Sequence, residues 1–149
     1  MNIIYALRCR RHKRRFNRVT CRSAPVSSMR TGPCFELLNP TAHAEVQAIR
    51  ESGRKLRSPD LRGCVLYSTC EPCAMCFSAC VWSKMARIVY AARNEDSAAF
   101  AIDCIPISSL QMKQLSNKRV EIVGDLLRDE SLKLFTTWSA AHRFGAFKQ

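Results

Sequence analysis

GCVLYSTCEPCAMCFSACVWSKMARIVYAA, residues 63–92, is the stretch that decides the fold class. Its opening, Gly63 to Thr69, carries Val65, Leu66 and Tyr67 in a short apolar run and reads as a mostly buried strand. Pro72 suits the first position of a helix, where its missing N–H would have no partner anyway. The apolar run from Ala74 to Met85 contains no breaker, so the pattern predicts a buried helix over about 72–85. Arg87-Ile88-Val89-Tyr90-Ala91-Ala92 then reads as a second strand. The short link before it predicts a βαβ unit with parallel strands and a right-handed crossover, hence an α/β protein.

Working outward, Pro40 and Thr41 precede a helical stretch to about Leu56, with Val46, Ile49 and Leu56 near helical spacing. Thr41 is its expected N-cap and Gly53 a weak point or early stop. Residues 57–62 form a loop through Pro59. Downstream, residues 119–124 alternate apolar and polar as a further strand does. A last helix from about Asp129 to Phe144 carries Leu132, Phe135, Trp138 and Ala141 as a core stripe. No internal repeat or low-complexity tract is present.

At 149 residues the chain closes one hydrophobic core, and it lacks any apolar run near the roughly 18 residues that cross a bilayer. A membrane role has no support. The formal charge of +12 is unevenly spread. Residues 1–35 hold nine Arg and Lys and no acid, with Arg10, Arg11, Lys13, Arg14 and Arg15 crowded together, whereas residues 36–149 hold fifteen basic and twelve acidic residues. The chain therefore divides into a basic, atypical segment, 1–35, and a domain, 36–149. The segment has the composition of an organelle transit peptide and also of a solvated, disordered arm. Nine cysteines is an odd count, and no secretory signal accompanies them. A reducing, cytoplasmic setting with some metal-bound thiolates fits better than a disulfide framework.

Cys70, Cys73 and Cys76 form two overlapping C-x-x-C pairs, which alone are a weak signal. Position sharpens it, since Cys73 and Cys76 flank the first turn of the Pro72 helix, where backbone N–H groups and the helix dipole favour thiolates. A catalytic zinc takes three protein ligands and keeps one position for water. Of three histidines, only His43 is followed two places later by a carboxylate, Glu45. Two residues apart on a helix is about 200° of rotation, so His43 and Glu45 converge only at the helix's N-terminal end. The site should lie where two helix N-termini meet. Taken singly, His43 reads as a capping or core histidine and Glu45 as an exposed first-turn carboxylate; their joint occurrence with the cysteines changes the reading. A structural zinc closed by Cys70 or Cys80 is the alternative, and it gives no reason for the adjacent carboxylate.

His43-Ala44-Glu45 followed by Pro72-Cys73-Ala74-Met75-Cys76 matches the H-x-E and P-C-x-x-C signature of zinc nucleobase deaminases. With Asn39-Pro40-Thr41-Ala42 before the first motif and Thr69-Cys70-Glu71 before the second, the chain resembles the cytidine/deoxycytidylate deaminase superfamily over roughly residues 39–144. That superfamily includes guanine deaminases and tRNA adenosine deaminases. The resemblance implies a three-layer α/β/α sandwich with a central mixed sheet. It also implies one Zn2+ per chain held by His43, Cys73 and Cys76, Glu45 as proton shuttle, Cys70 as a packing residue, and a homodimer. The implied reaction is hydrolytic deamination of a ring carbon, with the metal lowering the pKa of a water and Glu45 moving its protons.

The usual N-terminal helix and hairpin are not legible in residues 1–35, and Gly32 stands where a substrate-binding Asn is expected. The chain therefore reads either as an active deaminase or as a truncated or rearranged member with impaired activity. Tyr67 to Cys73 and Trp82 resemble deaminases of guanine or free nucleosides, whereas Arg119 to Ile122 and the residues after them resemble tRNA adenosine deaminases. A nucleobase or nucleoside, guanine or a relative of it, is the expected substrate, with tRNA the second reading. Asp103 falls where some guanine deaminases carry an acid near the base, and is also explained as a solvated loop residue. An inactive zinc-binding protein and a nucleic-acid module built on the basic segment are the readings from other classes.

Overall fold

The computed structural model describes residues 6–9, 38–100 and 105–141. In chain order the elements are β1 (Ala6–Cys9), α1 (Ala44–Leu56), β2 (Cys64–Cys70), α2 (Ala74–Trp82), β3 (Arg87–Ala92), α3 (Asn94–Ala98), α4 (Ser109–Ser116), β4 (Glu121–Val123) and α5 (Arg128–Ala141). The expected βαβ unit is present: β2 and β3 run parallel, with Leu66 beside Ile88 and Ser68 beside Tyr90. β4 joins β3 in parallel, and β1 joins the other side of β2 antiparallel, giving a mixed sheet in the order β1-β2-β3-β4. The protein is α/β, as its sequence implies.

Burial follows from position in the sheet. β3 has a neighbour on each side and buries Ile88 to Ala92 without a break, the pattern of a strand covered on both faces. β2 buries Cys64, Leu66 and Ser68 in alternation. β4, at the edge, is three residues long and exposes Glu121 and Val123, which limits pairing with other chains. Leu66, Ile88 and Tyr90 pack with Phe77 and Cys80 of α2, with Leu61, Met85 and Val120 closing the cluster. Ala48, Ile49 and Leu56 of α1 and Met112 of α4 cover it. α5 packs against β3, and its buried Phe135 stacks on Phe100 at 5.4 Å between ring centres. No helix among the described residues is long and apolar enough to cross a membrane.

Several local expectations are corrected. His43, not Thr41, is the N-cap of α1; the Thr41 hydroxyl and N–H instead bond to the Asn39 side chain. Gly53 does not stop α1, which runs on to Leu56 and ends with Arg57 in the left-handed conformation. Glycine is favoured there because the returning Ser58 carbonyl lies 3.3 Å from where a Cβ would sit. α2 is shorter than predicted, starting at Ala74 with Cys73 as its cap, so Pro72 lies just outside it. β4 covers 121–123 of the expected 119–124. In α5, Phe135 is buried and Leu132 partly so, while the side chains of Trp138 and Ala141, and everything beyond residue 141, lie outside the described residues. α3 and α4 have no counterpart in the sequence reading, nor does β1, which stands inside the segment read as lacking strands. Residues 10–37 lie outside the described residues, so the division at 35/36 and the missing hairpin stay expectations.

Paired charges fasten the loops at the carboxyl end of the sheet. Arg93 grips both oxygens of Asp125 at 2.8 Å, and Arg128 grips Asp96 at 2.6 and 2.9 Å. Asp96 is the best shielded of these acids, and the Arg128 guanidinium holds its carboxyl below the ordinary value of 3.8. A depressed carboxyl stabilises the fold fully above its unfolded pKa and loses that contribution as pH falls through the folded one. Denaturant midpoints should therefore fall below about pH 4, and Asp96→Asn should flatten that part of the profile while lowering stability at neutral pH. Phe77→Ala, at a fully buried ring, should cost about 3–5 kcal/mol in the same measurement.

Candidate metal centre

At the end of β2 the chain passes through Glu71 and Pro72 and enters α2 with Cys73 extended at its cap, φ −60° and ψ 168°. α1 begins the same way on His43, φ −63° and ψ 150°. The His43 side chain makes no bond to its own helix, and within α2 the Cys73 sulfur is bonded to Cys76. The two cap side chains turn to each other, and the Cys73 Sγ lies 3.6 Å from the His43 Nδ1. Cys76, one turn into α2 and completely buried, adds its sulfur. The three donor atoms lie within 4.8 Å of one another, the single such group among the described residues. The sequence-predicted residues are thus brought together, where the N-terminal ends of α1 and α2 meet.

The donor set suits zinc. Two ligands of a tetrahedral zinc, one nitrogen and one sulfur, lie roughly 3.6 Å apart given usual bond lengths, which is the Cys73–His43 spacing. Cys70 does not join the group; its sulfur lies 4.0 Å from the Arg93 carbonyl oxygen. Cys80 does not join it either, and burial pushes its thiol up to about 12.

The charges of the site are shared among few groups. The Cys73 thiol is drawn down to about 4, chiefly by the hydrogen bond from the Cys76 thiol and then by His43, against burial. Cys76 is pushed far up because it donates to Cys73 and is buried beside Glu45. His43 is raised by its bond to Cys73, with desolvation opposing. Glu45, second residue of α1 and 5% exposed, has its carboxyl raised mainly by burial.

Other sequence candidates do not reach this group. Trp82 stands at the far end of α2, 84% exposed. Asp103 and Gly32 lie outside the described residues. A cavity of about 860 Å³ opens not at the donor atoms but beside Glu71, lined also by Tyr90, Arg93, Asn94, Ser108 and Asp125. Sequence reasoning gave Glu71 no role of its own, yet it is buried and both its oxygens accept backbone N–H bonds. A carboxylate next to a proline that precedes a helix is the signal that could have marked it.

Residues 9–92 match the family model of the cytidine and deoxycytidylate deaminase zinc-binding region. The chain belongs to this family. A guanine deaminase of Bacillus subtilis (strain 168) is 45% identical over 65 residues, 44% of this family member and 42% of the relative. A tRNA-specific adenosine deaminase of Aquifex aeolicus (strain VF5) is 49% identical over 60 residues, 40% of each chain. The chain thus spans about two fifths of the length of these curated relatives. Among solved structures, a guanine deaminase from Nitrosomonas europaea superposes with a TM-score of 0.66 at 31% identity, covering 72% of this chain and 62% of that one. The protein NE0047 in complex with 2,6-diaminopurine gives a TM-score of 0.74 at 26% identity, covering 98% and 74%.

In metal-free protein at neutral pH, Cys73 should be a thiolate and Cys76 and Cys80 thiols. Brief alkylation with iodoacetamide followed by peptide mapping should label Cys73 well before the other two; equal labelling would contradict this assignment.

Proposed function

We propose that this chain is a zinc-dependent hydrolase that releases ammonia from a nucleobase or nucleoside, with guanine or a related purine favoured. The observation that carries the reading is the meeting of three metal-donor atoms with a buried carboxylate at two helix ends. His43, Cys73 and Cys76 would hold one zinc, a set that leaves a fourth tetrahedral position open. Bound zinc supplies the positive charge that brings the pKa of a water towards neutrality.

The remaining work falls to Glu45. Burial raises its carboxyl from the ordinary 4.5, toward the range where a group both takes and gives a proton. It accepts a proton from water as the oxygen bonds to the ring carbon bearing the amino group. It passes that proton to a ring nitrogen, then takes the second proton from the hydroxyl now on the carbon and gives it to the departing nitrogen; the C–N bond breaks, and ammonia leaves with a carbonyl in its place. The low exposure of the carboxylate keeps solvent from competing for that proton.

Support for a purine comes from the guanine deaminases among the similar proteins and from NE0047 with its bound 2,6-diaminopurine. A second reading, tRNA adenosine deamination, is favoured by the Aquifex relative and by the acid-free, Arg-rich residues 1–35, which suit a phosphate backbone.

Ammonia release from guanine, cytosine, adenine, their nucleosides and tRNA, measured on the zinc-loaded chain, tests both. Turnover of guanine over the others is expected, and turnover of tRNA alone would favour the second reading. Glu45→Gln should keep the zinc and lose about 100- to 10,000-fold in rate. Turnover unaffected by that substitution would overturn the role of Glu45.

A further inference from the structure

We propose that Glu71 is a positioning residue for the metal ligands, pinning the turn that carries Cys73 and Cys76. This inference rests on the zinc reading above and adds to it a residue that touches neither metal nor substrate.

Glu71 is 5% exposed and forms no ion pair with any described residue. Its carboxylate is held by directional donors. Oε2 accepts from the Asn94 N–H at 3.0 Å, and Oε1 accepts from the Ser109 N–H at 2.6 Å. Asn94 and Ser109 are the first residues of α3 and α4, so one side chain ties the ligand turn to the starts of two helices. Two further bonds hold the turn itself: the Glu71 N–H donates to the Ala92 carbonyl at 2.7 Å, and the Ser109 hydroxyl donates to the Pro72 carbonyl at 3.3 Å.

The arrangement matters because α2 has no side-chain cap. Cys73 occupies the cap position with its sulfur turned to His43 and Cys76, so bonds from outside the helix help to fix its start. Glu71, two residues earlier, does this with bonds whose directions are set by backbone. Bonds from neutral donors to a charged acceptor are among the stronger ones, and a buried carboxylate deprived of them would be costly.

The test uses the full chain. Zinc affinity is measured by competition with a chromophoric chelator, and ligand geometry by the visible spectrum of the cobalt(II)-loaded protein, with thermal unfolding confirming that each variant is folded. Glu71→Gln replaces an acceptor oxygen with a donor that faces an N–H. It should weaken zinc binding about tenfold or more and shift the cobalt bands. A folded Glu71→Gln with wild-type affinity and spectrum would overturn the inference. Should that variant fail to fold, Ser109→Ala, which removes only the bond to the Pro72 carbonyl, carries the test: a loss of about threefold supports the inference, since one hydrogen bond of roughly 0.6 kcal/mol corresponds to it, and no change in affinity or spectrum overturns it. A wild-type chain that holds no zinc at all defeats the parent reading, an outcome visible before any variant is made.

Discussion

Two helix N-termini brought within reach of one another's first side chain concentrate positive potential, and the structure depends on what is put between them. Each end carries about half a positive charge and a set of N–H groups without helical partners. His43 and Cys73 occupy the caps without capping, so nothing at the ends themselves absorbs this field. A thiolate at Cys73 does; its thiol is acidic chiefly because it accepts from the Cys76 thiol and is paired with His43, and Cys76, as the donor, is pushed up. The same arrangement explains why Glu45 sits in the first turn although buried: at this helix end a carboxylate costs less than it would elsewhere in the core.

That meeting of helix ends follows from the topology. Parallel strands joined by a helix put every strand-to-helix turn on one edge of the sheet, so the turn carrying Cys73, the Arg93–Asn94 turn and the Gly124–Asp125 turn share that edge. Ligands gather at such edges in open α/β sheets for this reason. The edge is braced by ion pairs on its outer side, Arg93 with Asp125 and Arg128 with Asp96, and by backbone N–H bonds within, where Glu71 accepts from two helix starts. Exposed pairs contribute little each, and buried directional bonds fix angles. The division suits an edge whose inner part brings three donor atoms together.

How legible this was depended on the range of the interactions involved. The βαβ unit at 63–92 could be read because burial on both faces leaves a plain mark, an unbroken apolar run between breakers. The grouping of His43, Cys73 and Cys76 could be read because the chemistry of a metal limits residue type and spacing within each helix end. Thr41 was misread as a cap because its side chain competes for Asn39 instead, a choice made by local hydrogen bonding that composition does not record. Gly53 was misread as a stop because its role is steric, set by the returning Ser58 carbonyl. α3 is a single short turn of polar residues without apolar periodicity, and β1 is four residues whose pairing with β2 is fixed by a partner more than fifty positions away. Glu71 escaped notice for the same reason, since its partners lie 23 and 38 positions along the chain.

Charge counting gives the carboxylate its character. In the proposed site a divalent cation with two thiolates and a neutral imidazole would sum to zero, which would leave Glu45 as the remaining net charge in a place almost without solvent. Burial presses it toward the neutral acid, and the helix end and any nearby cation press it toward the anion. Neither pressure alone makes a proton carrier: a carboxyl dominated by burial would not release its proton, and one dominated by the cation would not take it. Opposed, they would bring the two forms closer in free energy, as the proposed role of accepting and returning a proton in one turnover requires. The first-turn position of Glu45, two residues after a ligand and on the opposite side of the helix, is among the few from which a side chain meets both pressures at once.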